Sequence, residues 1–252
     1  MKNAIIYTFV FLAIQVMANF MVDGIWRWAF GKSTMNDATG IIVTTMVFTV
    51  ISVTVFLLAR WCEVSRHWIR KRPWMMLLWC AIAAIGAIIP SVWIQEHMPE
   101  LPNIAEDTFD MILRDRWGYV AVGLLAPLAE ELVFRGAILK SLLQWCSKAW
   151  VAIAISAFLF AAAHMNPAQL PHAFTIGLLL GWLYYRTNSI IPGMVYHWIN
   201  NSVAYAMYNL YPNPDLTLAD LFGSERTALM AVGFSLCIFL PALFQLSMRL
   251  EK

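Results

Sequence analysis

"WGYVAVGLLAPLAEELVFRGAILKSLLQW", residues 117–145, decides how this chain is read. Its first thirteen residues carry no charge, and then Glu130, Glu131 and Arg135 place three charges within six positions. The stretch is oily enough for a bilayer, yet each charge at the centre of a membrane helix costs about 2.5–3.5 kcal/mol on insertion scales. Three unpaired charges would cost ~8–10 kcal/mol. Helix propensity gives no reason for them, so pairing or function must.

The rest of the chain supports the membrane reading. Of 252 residues, 61% are hydrophobic and 13% charged, and the mean hydropathy is +0.66. Soluble domains carry roughly 25% charged residues. The expected fold class is therefore all-α, a polytopic membrane helical bundle of about eight transmembrane helices. A net charge of +2 without a block of about five like charges speaks against nucleic acid as a partner. Cys62, Cys80, Cys146 and Cys237 lack CxxC spacing and are read as buried free thiols.

Eight apolar segments fall near 4–22, 40–59, 74–94, 117–145, 149–165, 172–185, 189–208 and 227–247. Most approach the ~20 residues needed to cross the hydrocarbon core. The first is too long for a signal-peptide core and reads as a retained span. The fourth exceeds one straight crossing, so part of it is tilted or sheltered by protein. Tryptophans such as Trp61, Trp74, Trp117 and Trp145 mark segment ends, where amphipathic rings settle. There is no internal repeat, low-complexity tract or long linker, and residues 1–252 read as a single integral membrane domain.

Basic residues set the orientation. The loop "RWCEVSRHWIRKRP", residues 60–73, carries Arg60, Arg66, Arg70, Lys71 and Arg72 and is expected in the cytoplasm. The connection at 95–116 is acidic and faces out. Alternation then puts Lys2, Lys148, Arg186, Arg249 and Lys252 inside, so both termini are expected to be cytoplasmic.

Within the fourth segment, Glu131 and Arg135 are four apart and share a helix face, which predicts a structural ion pair. Glu130 is turned ~100° away and would point into a cavity. Pro127 removes a backbone donor just before it and frees a carbonyl. Other spans carry polar partners. His164 ends "VAIAISAFLFAAAH", and His197 and Asn201 share a face within "SIIPGMVYHWINNSVAYAMY". Counted along the helices, Glu130, His164 and His197 can border one cavity. His67 and His97 read as solvated loop residues. His172, after Pro171, reads as structural or interfacial, and Gly177 and Gly181 as a close helix-packing face.

Hydrolysis is the chemistry open to these groups. A carboxylate in an apolar cavity is a stronger base and can act on water. A neutral histidine and an asparagine amide can donate to a developing oxyanion. Alternatively, Glu130, His164 and His197 make a His₂Glu set sufficient for catalytic zinc with one open position. The cofactor is therefore none, or zinc; HExxH spacing is absent.

Glu130-Glu131-x-x-x-Arg135, Phe160-x-x-x-His164 and His197-x-x-x-Asn201 occur in that order on hydrophobic spans. Over residues 117–205 the sequence resembles the CPBP family, the CAAX proteases and bacteriocin-processing enzymes also called Abi. The resemblance implies an eight-helix intramembrane endopeptidase acting on a peptide or protein substrate at the lipid bilayer. It implies that Glu130 activates water, His164 positions that water or the intermediate, His197 and Asn201 bind the oxyanion, and Glu131 and Arg135 brace the core. Every motif position is occupied. Two other classes compete: a non-catalytic bacteriocin-immunity or scaffold protein of the same fold, and a transporter using Glu and His as a proton relay. The transporter predicts repeat symmetry between halves, which the sequence lacks.

Overall fold

The protein is known from a computed structural model, which describes residues 1–63, 68, 73–213 and 216–250. Arg66, His67, Arg70, Lys71, Arg72 and Lys252, invoked above, lie outside the described residues. The helices are α1 (Lys2–Phe30), α2 (Ala38–Leu58), α3 (Trp74–Glu96) and the short α4 (Glu106–Arg114), then the long α5 over 119–145. They continue with α6 (Ala149–Ala163), α7 (Leu170–Thr187), α8 (Ile191–Leu210), the short α9 (Leu218–Phe222) and α10 (Glu225–Arg249). No strand occurs among the described residues. The fold is an all-α membrane helical bundle.

Helices α1, α2, α3 and α10 are each long and apolar enough to cross a membrane. They also turn large apolar side chains outward, among them Phe20, Leu58, Ile85 and Phe234. In water that surface would drive aggregation, whereas in lipid tails it is solvated. Cys237 shows the same effect and corrects one expectation. Cys62 and Cys80 are buried and Cys146 is half-buried, but Cys237 is exposed on α10. A thiol needs no protein cover when its surroundings are hydrocarbon.

The interior has two packed clusters. Phe11 of α1 and Phe56 of α2 pack with Phe134 of α5 and Phe160 of α6 in the first. Small residues of α3, including Ala83, Ala84 and Ala87, meet Leu180 of α7, Tyr196 of α8 and Ala242 of α10 in the second. Small side chains let helices approach closely where lipid offers no hydrophobic drive to association. Gly86 is the extreme case: a Cβ there would lie 2.8 Å from the backbone nitrogen of Phe239. Gly177 and Gly181 form the expected packing face, set against Ala157 and Ile153 of α6.

Helix boundaries follow local chemistry. Pro171 and Pro192 sit in first turns, where no donor is lost and φ is already helical. Gly31 closes α1 at φ 69°, a left-handed conformation that costs glycine no Cβ clash. The connections alternate between two ends of the bundle. At one end, Lys140 pairs with Glu63 at 3.4 Å and Arg186 donates to the Ser247 and Leu250 carbonyls. At the other, Asn166 donates to Asn103 at 2.9 Å and the Leu218 amide donates to Glu96 at 2.7 Å.

Helix α5 departs from regular α geometry. Residues 119–125 and 131–139 are π-helical, flanking an α-helical Ala126–Glu130. All nine residues from Glu131 to Leu139 are buried. The central part of the overlong fourth segment is thus sheltered by protein, and Glu131 and Arg135 are buried within it. Wide π turns recur at functional sites because they displace side chains from the regular helical register.

Candidate active site

The change from α to π geometry in α5 falls between Glu130 and Glu131. Glu131 and Arg135 form the expected ion pair, Arg135 Nη1 to Glu131 Oε1 at 2.8 Å, with side chains 0% and 1% exposed. Arg135 also donates from Nη2 to the Gly177 carbonyl at 3.3 Å, and its guanidinium lies 4.4 Å from the Phe160 ring centroid. Gly193 is required beside this pair: a Cβ there would lie 2.6 Å from Glu131 Oε2. Glu130 behaves differently. Its side chain is 19% exposed and lines a cavity of about 790 Å³.

His197 of α8 stands between the two glutamates. Its Nδ1 lies 3.2 Å from Glu131 Oε1 and its Nε2 3.5 Å from Glu130 Oε2. Glu131 therefore does more than pair with Arg135, because it also orients the imidazole. A carboxylate accepting from Nδ1–H turns Nε2 toward Glu130 and stabilises the imidazolium if the ring takes up a second proton.

His164 follows α6 and lines the same cavity. Its Nδ1 is 2.9 Å from the Phe160 carbonyl oxygen. A carbonyl only accepts, so Nδ1 carries the proton and the neutral ring has Nε2 as an acceptor. Phe160 packs edge-on against both histidines, with centroids 5.0 Å from His164 and 5.7 Å from His197. The Phe160-x-x-x-His164 spacing thus fixes two rings at once.

Asn201 has one amide hydrogen already engaged, Nδ2 donating to the Val122 carbonyl at 2.9 Å. The reason lies in α5. Its first π stretch bonds the Ala126 amide to the Ala121 carbonyl, five residues back. The next bond in that register would run from residue 127 to Val122, but Pro127 has no N–H. Asn201 caps the carbonyl that proline frees, leaving its second N–H for other partners. Asn200, which sequence reasoning passed over, donates to Asn201 Oδ1 at 3.3 Å and also lines the cavity.

His172 lies closer to the chemistry than its sequence reading implied. It lines the cavity and sits 3.2 Å, Nδ1 to Nε2, from Gln95 of α3. Its sequence signal, a polar ring in the first turn of an apolar helix, does not distinguish a cavity wall from a membrane interface.

The His₂Glu zinc set does not assemble. Among the described residues no three His, Cys, Asp or Glu side chains converge as metal ligands. Glu130 and His197 meet, but His164 does not join them in a three-ligand group. As placed, these three side chains are not the donor set of a catalytic metal.

Residues 113–203 match the family model for type II CAAX prenyl endopeptidase Rce1-like proteins. This segment is similar to Rce1-like domains. It contains Glu130, His164, His197 and Asn201, and it agrees with the resemblance drawn from the three motifs. At the level of the family, the Rce1-like domain is that of a CAAX-type membrane protease, whose substrates are peptides or proteins at the membrane. Neither the curated proteins nor the solved structures gave a match.

Proposed function

We propose that the chain works as one integral membrane domain, an intramembrane endopeptidase that hydrolyses peptide bonds of CAAX-type substrates through water activated by Glu130. The observation that carries this reading is a partly exposed carboxylate in a large cavity, with His197 Nε2 3.5 Å away. Water bound between Glu130 and the Nε2 acceptor of His164 gives up a proton to Glu130 as its oxygen attacks the scissile carbonyl. His197, as imidazolium, and the second N–H of Asn201 donate to the oxyanion. Glu131 balances the imidazolium charge, and Arg135 in turn balances Glu131. On collapse the C–N bond breaks, the proton passes from Glu130 to the departing amine, and the water oxygen stays on the new carboxyl group.

Glu130→Gln tests this. It keeps size and most hydrogen bonding but takes no proton at neutral pH. Peptide termini in membranes bearing wild-type protein are compared with those bearing the variant. Cleavage should fall by about 10²–10⁴-fold while the variant folds normally. A folded Glu130→Gln protein that cleaves as well as wild type would eliminate the mechanism. If neither form cleaves and both protect cells, the bacteriocin-immunity reading takes its place.

A further inference from the structure

The cavity that holds Glu130 is also walled by α1 and α2, outside the Rce1-like domain. Along α1, Phe11, Gln15 and Asn19 recur every four residues on the cavity face; along α2, Ile41, Thr45 and Thr49 do the same. A threonine inside an apolar helix ordinarily donates to the carbonyl four residues back. Thr44 and Thr45 do so, to Gly40 at 2.8 Å and Ile41 at 3.0 Å. Thr49 does not: it is 1% exposed and its hydroxyl has no partner among the described residues. Oε1 of Gln15 is likewise buried and unpaired. A buried polar atom without a partner is destabilising, and a ligand's polar groups would supply what it lacks.

Four phenylalanines connect this wall to the catalytic side. Phe48 packs on Phe11 at 5.0 Å, Phe11 on Phe134 at 5.3 Å, and Phe134 on Phe160 at 5.3 Å between centroids. Phe160 then touches His164 and His197. All four rings line the cavity. The rings thus form one continuous aromatic floor, from Phe48 beside Thr49 in sequence to Phe160 against the two histidines. An extended chain advances ~3.3 Å per residue, so a few residues span that floor.

We propose that Gln15 and Thr49 form a substrate subsite that binds the main-chain amides of an extended peptide, a few residues from the bond facing Glu130, whose apolar side chains rest on the phenylalanine floor. A backbone N–H donates to Gln15 Oε1, and the Thr49 hydroxyl donates to a backbone carbonyl. The subsite rests on the endopeptidase reading and deepens it, because it selects extended segments of apolar character by main-chain bonding.

The test separates binding from cleavage. Gln15→Met and Thr49→Val, both nearly isosteric, are made in the full chain on the Glu130→Gln background. Binding of a short fluorescent peptide with aliphatic side chains, and of its singly N-methylated derivatives, is measured in detergent micelles. Each substitution should weaken binding about tenfold, as expected for one lost hydrogen bond. One N-methylated derivative should bind weakly to the Glu130→Gln parent and equally weakly to the Gln15→Met form. Melting temperatures should hold or rise, since an unpaired polar atom has been removed. Ser52→Ala is the control: that hydroxyl is also buried and unpaired but does not line the cavity, so binding should not change. Unchanged affinity in both variants, or no binding by the parent, would overturn the subsite. Cleavage by the Glu130-intact protein separately decides the endopeptidase reading.

Discussion

Removing Arg135 isolates a charge that has no route to water. Glu131 is 0% exposed, and its contacts are Arg135 at 2.8 Å and His197 at 3.2 Å. Breaking a buried pair by deleting one partner costs about 3–5 kcal/mol. For a chain of this size each kcal/mol shifts the melting temperature by roughly 2–4 °C. Arg135→Ala and Glu131→Ala should therefore each lower it by roughly 6–20 °C. The Arg135 change should be the worse of the two, since it also removes the Gly177 bond and the contact with the Phe160 ring. In the double variant no charge is stranded, so its loss should fall well short of the sum of the two. A double-mutant cycle of melting temperatures in detergent measures the difference. Strictly additive losses would refute the coupling, and with it the idea that the pair is what allows these charges inside the membrane.

Asn201→Ala should cut turnover by about 10²–10³-fold, since it removes an oxyanion donor and uncaps the Val122 carbonyl; single-turnover kinetics would show it. A reporter fused after the C-terminus should be active in the cytoplasm and one inserted at Asn103 outside; the reverse pattern would overturn the charge-based orientation. The hydroxyl of Tyr208 and then Arg114 hold the Asp110 carboxyl below its usual range on α4, outside the membrane-spanning segments. The contribution of Asp110 to anchoring α4 is thus present above the ordinary carboxyl pKa of ~3.9. It is lost as pH falls through the lower folded value. Limited proteolysis should show α4 loosening in strong acid, and Tyr208→Phe should weaken that dependence.

The features legible in the sequence are those set by neighbours along the chain. The eight apolar segments are helical among the described residues, four of them long enough to cross a membrane, because segment length and apolar composition are properties of the segment itself. Spacing alone paired Glu131 with Arg135, and the pair survives the π geometry of the segment between them. Pro127 announced a freed carbonyl; that Asn201, 79 residues away, would cap Val122 could not be read from it. Tertiary packing likewise set the ring of His197 between Glu130 and Glu131, a contact that helical spacing within one segment cannot predict. It also kept His164 from joining Glu130 and His197 in a three-ligand group, and it carried Gln15 and Thr49 to the wall of the cavity that holds Glu130. Neither of those two looks different in sequence from any polar residue in an apolar helix. Their distinction, a buried hydrogen-bonding atom without a partner, exists only when every neighbouring helix is in place.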